Sequence, residues 1–275
     1  MTVAVSTFYK YVRISDCEAM RIALLQLCLV HGIKGTILIA TEGVNATVSG
    51  RPAALEALHS VLGSMIGGQC LTNKLSAAPE HPFARMKIKI KPEIVTFGAE
   101  RANPSQGVGR HVAAEDWNAL VIDPNVVLVD VRNDYEVALG SFPGAINPGT
   151  RSFREFPAFV DRELANAREK SIAMFCTGGI RCEKASSYLL SQGFRDVRQL
   201  AGGILKYLEA APPNESLWLG ECFVFDTRVS VGHGEVPGSH ALCQRCGRPM
   251  AKAEDELALC SKCADAQSSA TWPVH

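Results

Sequence analysis

The stretch Ile172-Ala-Met-Phe-Cys176-Thr-Gly-Gly-Ile-Arg181-Cys182 sets a cysteine at the end of an apolar run, follows it with a glycine pair and closes on an arginine. The run reads as a buried strand, the glycine pair lets the backbone curl, and a helix starts at once. In such a curl the backbone N–H groups of Thr177, Gly178, Gly179 and Ile180 form an anion nest, and the helix N-terminus adds positive potential. Cys176 at that point is expected to ionise easily, or to carry an anionic sulfur or substrate adduct. Arg181 either adds a fixed charge at the end of the loop or braces it from behind. Cys182, in the first helical turn, is either a second thiol able to form a disulfide with Cys176 or a small residue packed under the loop. A buried cysteine before a glycine turn would account for Cys176 alone. It does not account for strand, glycine pair, arginine and helix together.

Loop length narrows the chemistry. Cys-x4-Arg is one residue shorter than the Cys-x5-Arg loop of cysteine phosphatases, and a smaller ring of amides suits a single sulfur or another compact group better than a phosphate. A second cluster, Cys243-x2-Cys246-x13-Cys260-x2-Cys263, has the spacing of two knuckles whose thiolates close a tetrahedral metal site. Zinc is the expected ion, and Arg245, Arg248, Lys252 and Lys262 would offset the negative charge of its four thiolates. An iron–sulfur cluster takes the same ligands. Four protein ligands leave no open position, so the expected role is structural. Free thiols or disulfides are the bland reading, and disulfides do not suit a reducing compartment.

A third pattern is basic. Arg85, Lys87, Lys89 and Lys91 alternate with Met86, Ile88 and Ile90. On a strand such charges share one face at a spacing of about 6.6 Å. The row can follow a phosphate backbone, with Arg101 and Arg110 adding to it, or it is only a solvated edge that resists aggregation. No RNA-recognition signature of the RNP type is present.

Three stretches of chain must position these groups. Residues 1–98 read as an α+β domain. Strands are expected over Thr7–Ile14, Lys34–Ala40 and Asn45–Ser49, with a final strand pair over Leu71–Ser76 and Met86–Phe97. Two helices lie among them, one capped by Asp16 and one with Pro52 in its first turn. The order β-α-β-β-α-β is that of a ferredoxin-like sheet. A linker rich in Gly, Asn, Pro and Ser, Gly98–Gly109, precedes an α/β stretch over 110–215. There the short apolar runs Val126–Val131 and Ile172–Phe175 suit parallel strands covered on both faces. Helices are expected over Ala113–Val121, Phe153–Ala167, Cys182–Gln192 and Gly203–Ala210. A cysteine-rich segment follows over 218–265, strand-like at Cys222–Val231, and a mobile tail is expected from Ala264 to His275. Cys17, Cys28 and Cys70 are expected as small core residues.

The chain has 275 residues, 47% of them hydrophobic, with 28 basic residues against 28 acidic. That composition builds real cores and excludes a disordered chain, and the balanced charge leaves no global field toward nucleic acid or membrane. A polyanion would have to be held by a local patch. The longest apolar run, Ala23–Val30, is too short to span a bilayer, and the N-terminus lacks the pattern of a signal peptide. A cytoplasmic protein with reduced thiols and no membrane partner is the expectation.

Leu128-Val-Asp-Val-Arg132-Asn-Asp-Tyr-Glu136, Gly140-Ser-Phe-Pro-Gly-Ala-Ile-Asn147, the cysteine loop and Leu200-Ala-Gly-Gly203 together resemble a rhodanese domain. Phe142 stands where that family usually has Ile or His. Asp130, Arg132 and Glu136 read as a structural ion-pair and capping network. With Ala40–Gly50, Cys176–Ala185 and Cys222–Gly234 added, nearly the whole chain resembles the rhodanese-related tRNA uridine hydroxylases. That resemblance implies an N-terminal ferredoxin-like (acylphosphatase-like) domain, a central rhodanese domain with a parallel sheet and a C-terminal cysteine-rich zinc segment. It also implies oxygen-dependent 5-hydroxylation of the wobble uridine, with O2 as co-substrate, the tRNA anticodon arm as partner and Cys176 as the catalytic cysteine. A rhodanese-type sulfurtransferase using a cysteine persulfide, and a non-enzymatic RNA-binding module, are the alternatives.

Overall fold

The computed structural model describes residues 3–68, 71–78, 80–99, 101–252, 259–261 and 263. Cys70, Lys262 and the tail 264–275 lie outside the described residues. The chain divides into two compact units, Met1–Val108 and Gly109–His275.

In the first unit the elements run β1 (Val3–Tyr11), α1 (Cys17–His31), β2 (Lys34–Ala40), β3 (Gly43–Gly50), α2 (Pro52–Met65), β4 (Thr72–Ala78) and β5 (Met86–Ile90). Asp16 starts α1 as the sequence implies, its side chain accepting the Ala19 N–H at 2.8 Å. The sheet order is β4-β1-β3-β2-β5, antiparallel except for the β2–β5 edge. Both helices lie on one face: Met20, Leu24 and Cys28 of α1 and Leu55, Leu58 and Leu62 of α2 close over Phe8, Ile37, Ile39, Val44 and Val48. Cys28 is the core residue expected, and Cys17 packs at the margin.

The expected final strand pair is corrected. β4 and β5 do not pair with each other but occupy opposite edges of the sheet, and β5 ends at Ile90 rather than Phe97. Pro92 cannot donate to a ladder, and the chain after it turns back. There Glu42 accepts the Ile94 N–H at 2.7 Å and Asn45 donates to the Ile94 carbonyl at 3.0 Å.

The second unit continues with β6 (Arg110–Val112), α3 (Ala114–Ile122), β7 (Val126–Asp130), α4 (Asp134–Val137), β8 (Gly140–Ser141), α5 (Phe156–Phe159), β9 (Ser171–Phe175), α6 (Ile180–Ser191), β10 (Asp196–Leu200) and α7 (Gly203–Ala210). A four-stranded parallel sheet has the order β6-β10-β9-β7. β9 is central and fully buried from Ile172 to Phe175, so its C-terminal end delivers Cys176 from a rigid platform. The helix expected over Phe153–Ala167 is broken into α5 flanked by tight and wide turns.

Phe142 fills the core. Its ring meets those of Phe175, Tyr207 and Trp218 edge-on at 4.9, 4.9 and 5.1 Å. Each such pair adds about 0.5–1.5 kcal/mol beyond the area it buries.

The chain then forms β11 (Leu219–Gly220), which pairs with β8, and the two-residue strands β12 (Cys222–Phe223) and β13 (Ser230–Val231). The single strand expected over Cys222–Val231 is therefore a folded-back ribbon. Its turn is fixed by Arg228, which donates twice to Asp226, at 3.0 and 2.7 Å, and pairs with Glu235 at 3.4 Å. A last hairpin, β14 (His240–Leu242) and β15 (Pro249–Ala251), carries the first cysteine knuckle. Among the described residues, no helix is long and apolar enough to cross a membrane.

Candidate active site

The loop between β9 and α6 is held from two directions. From α7, the Ile204 and Leu205 N–H groups donate to the carbonyls of Cys176 and Thr177 at 2.9 and 3.1 Å. Gly203 makes that approach feasible: its φ is +67°, and a Cβ there would lie 2.5 Å from the Cys176 carbonyl oxygen. With those carbonyls engaged on α7, the Gly179 N–H is left to donate to Cys176 Sγ at 3.2 Å.

The second hold is a buried ion pair that the sequence did not disclose. Arg181 binds Glu136 bidentately, at 2.6 and 2.7 Å, and also donates to the Thr177 hydroxyl at 3.2 Å. Glu136 sits in the first turn of α4, where it accepts the Asn133 N–H at 3.0 Å. Of the two readings of Arg181, the brace is what the hydrogen bonds describe, while its charge still acts on the thiol.

Beside these two holds lies an adjoining pair that ties the end of β7 to β8. Arg132 donates to both oxygens of Asp130, at 2.9 and 2.7 Å, and to the Gly140 carbonyl at 2.6 Å. Asp130, Arg132 and Glu136 thus form the ion-pair and capping network that their types suggest.

Inside this frame Cys176 and Cys182 are both fully buried, with no disulfide between them. Burial alone would disfavour the Cys176 thiolate. A hydrogen bond from the Cys182 thiol, the Arg181 charge and the N–H groups of Cys182 and Gly179 overcome it, bringing the thiol down to about 6. Burial and its role as donor to Cys176 push Cys182 well above the ordinary thiol value. The pair is therefore asymmetric, with an ionised acceptor at 176 and a protonated donor at 182. Cys222, also fully buried, is pushed up to about 12 chiefly by burial, and serves as an inert packing thiol.

The four C-terminal cysteines converge as their spacing predicts. Cys243, Cys246, Cys260 and Cys263 place their sulfurs within 4.8 Å of one another, and Cys246 and Cys260 approach to 3.6 Å. Tetrahedral thiolate coordination of zinc sets sulfurs about 3.8 Å apart. The Cys260 N–H donates to Cys243 Sγ at 3.4 Å, a hydrogen bond that suits a thiolate ligand. Without a cation the cluster cannot ionise fully. N–H groups led by that of Cys260 hold Cys243 down at about 6, whereas burial and the neighbouring sulfurs push Cys263 up to about 12. The cluster could hold a metal ion, and with four protein ligands it would be closed to substrate. Of the basic residues expected around it, Arg245 donates to the Cys263 carbonyl at 3.3 Å. Lys252 reaches the Gly238 carbonyl at 2.8 Å instead, and Arg248 meets the cluster through its backbone, its carbonyl accepting the Cys243 N–H at 2.8 Å.

The basic row belongs to the first unit. Arg85, Lys87, Lys89 and Lys91 are all exposed along and beside β5. Lys87 pairs with Thr36, Thr36 with Thr47 and Thr47 with Thr7, so these side chains share the face of the sheet opposite the helices.

The family model described as UPF0176 acylphosphatase like domain matches residues 3–94, and that of the rhodanese-like domain matches 113–210. Over 250 residues the chain is 51% identical to a tRNA uridine(34) hydroxylase of Synechocystis, covering 91% of this chain and 90% of that protein. Proteins of the same name from Mesorhizobium japonicum and Teredinibacter turnerae are 49% and 47% identical, over 92% and 96% of this chain and 82% and 84% of theirs. The fold is an acylphosphatase-like domain, a rhodanese-like domain with a parallel sheet, and a cysteine cluster able to hold a metal. Half the residues are shared along nine-tenths of the length, and this chain belongs to the tRNA uridine(34) hydroxylase family.

Proposed function

We propose that the protein is an enzyme that hydroxylates C5 of uridine 34, the wobble base in the tRNA anticodon arm, with dioxygen as co-substrate and Cys176 as the reactive group. The observation that carries this reading is the family relationship, which runs at 51% identity through both domains and the cysteine loop. The geometry supports Cys176 as the reactive group: a thiol at about 6 is about nine-tenths ionised at neutral pH. Arg181 and Thr177–Ile180 hold the loop around that charge, and Cys182 donates to it. Insertion of one oxygen atom into the C5–H bond releases the other as water, using two electrons and two protons from a reductant. An anticodon base is single-stranded and reachable without opening a duplex. The test is incubation of the protein with tRNA lacking wobble modification, under air and reductant, followed by nucleoside analysis. 5-Hydroxyuridine at position 34 is expected, and unchanged uridine counts against the reaction.

The sulfurtransferase reading has a loop thiol in its favour, but the relatives that share half of this sequence are hydroxylases. The three stretches expected from the sequence, 1–98, 110–215 and 218–265, are proposed to divide the work into RNA positioning, chemistry and structural support.

In the last of these, one zinc ion is the proposed occupant of Cys243, Cys246, Cys260 and Cys263. Metal analysis of protein purified without added zinc should find it, and a Cys243→Ser/Cys246→Ser variant should lose it together with much of the stability of the hairpin around it. Zinc retained in that variant, or an iron chromophore in the wild type, overturns the assignment.

For the basic row, the proposed contact is the tRNA backbone. Changing Lys87, Lys89 and Lys91 to Ser should weaken tRNA binding and flatten the slope of log affinity against log salt by up to about 2–3 units. Saturating tRNA should restore the rate. Identical salt lines for the two proteins would make the row a solvated edge.

A further inference from the structure

We propose that Phe225, with Arg151 and Arg248, forms the seat of the target nucleotide, the ring stacking on the pyrimidine and the two guanidinium groups taking a neighbouring phosphate. The proposal rests on the reading of the substrate as tRNA uridine 34. Three independent features converge on it.

Phe225 is 66% exposed, although it lies in a unit whose other phenylalanines form buried clusters. The exposure is built in, because the Asp226–Arg228–Glu235 network fixes the turn that carries it. The ring is also at the mouth of the site: the guanidinium of Arg181, the last residue of the cysteine loop, lies 5.9 Å from its centroid.

Behind Phe225 the rings continue as a shelf. Phe225 meets Phe223 edge-on at 5.0 Å, and Phe223 meets Tyr135 edge-on at 5.3 Å. Tyr135 in turn opens a cleft of about 260 Å³, lined also by Asp134, Arg151, Cys246, Gly247 and Arg248. That volume is near the lower end of small-molecule sites, about 300 Å³.

Charge completes the match. Among the described residues, neither the Arg151 nor the Arg248 side chain has a hydrogen-bond partner. The one carboxylate of the cleft, Asp134, is engaged by the Asn147 amide at 3.1 Å. Two unengaged guanidinium groups beside an aromatic shelf suit a phosphate and a base, because arginine binds phosphate in bidentate fashion and unpaired bases stack on exposed rings. Cys246, Gly247 and Arg248 belong to the first cysteine knuckle, so the metal site would hold one wall of the cleft in place.

The experiment compares metal-loaded wild type with Phe225→Leu, Phe225→Trp and Arg151→Gln/Arg248→Gln. An anticodon stem-loop carrying uridine 34 is the binding probe, and unmodified tRNA is the substrate. Phe225→Leu should raise both Kd and KM about five- to hundredfold, the range of one lost base stack, and Phe225→Trp should recover most of the loss. The arginine pair should weaken binding and lower the salt slope by about 2 units. Wild-type affinity and KM in Phe225→Leu overturn the stacking seat, as does failure of Trp to restore what Leu loses. An unchanged salt slope overturns the phosphate contact. Wild-type protein that binds the stem-loop through these residues yet leaves uridine 34 unmodified defeats the proposed reaction and leaves the seat standing.

Discussion

Cys176→Ser is expected to abolish the proposed hydroxylation of uridine 34 and to leave the protein folded. The exchange is nearly isosteric at a fully buried position, so β9, the loop and α6 keep their packing. Its chemical effect is large, since an alcohol does not ionise where the thiol titrates at about 6. The wild type should show a thiolate absorbance step in the ultraviolet near that pH, and the variant should lack it. Because the folded-state value lies below the ordinary thiol value of 9.0, the thiolate is present above about 6 and is lost as the pH falls through it. Turnover should follow the same limb. A folded serine variant with residual hydroxylation near the wild-type rate would remove Cys176 from the chemistry.

Glu136→Ala is expected to cost about 3–5 kcal/mol in the stability of the second unit, because it leaves the Arg181 guanidinium buried without its counter-charge. Glu136→Gln keeps the volume and one acceptor oxygen, and should cost less. Urea denaturation at neutral pH measures both. The pair also makes a prediction for acid. Burial alone would raise the Glu136 value, but Arg181 brings it below the ordinary 4.5. Its stabilisation is therefore complete above the ordinary carboxylate value and is lost as the pH falls through the lower, folded-state value. An alanine variant as stable as the wild type would show that the loop does not depend on this brace.

What could be read in advance was what is local in the chain. The cysteine loop, the two knuckles and the Asp16 cap are short-range patterns in which spacing is nearly geometry. β6 and β10 escaped notice because Arg110–Val112 is three residues long and Asp196–Leu200 is largely polar. Gln199 is nevertheless buried, its amide donating to the Gly109 carbonyl at 3.0 Å. The exchange of β4 and β5 to opposite edges is a matter of topology that alternation along one strand cannot express. The partner of Arg181 lies 45 positions away, and nothing about Glu136 beyond its place in a motif marked it as the brace. Phe225 was hidden for the opposite reason. In a sequence an aromatic residue between Val224 and Asp226 reads as core, and only the folded ribbon turns it outward beside the loop.

The most direct measurement is the origin of the atom added to uridine 34. Metal-loaded protein, reductant and unmodified tRNA are incubated under isotopically heavy dioxygen, and the nucleosides are weighed by accurate mass with a parallel mercury-gel separation. Accurate mass is needed because gaining an ordinary oxygen and exchanging oxygen for sulfur give the same nominal change, whereas a heavy oxygen taken from the gas is set apart by its extra mass. The account predicts one heavy oxygen on uridine 34, no mercury-retarded tRNA, and neither product with Cys176→Ser. A thiolated nucleoside, or a hydroxylated one carrying no label from dioxygen, would contradict it.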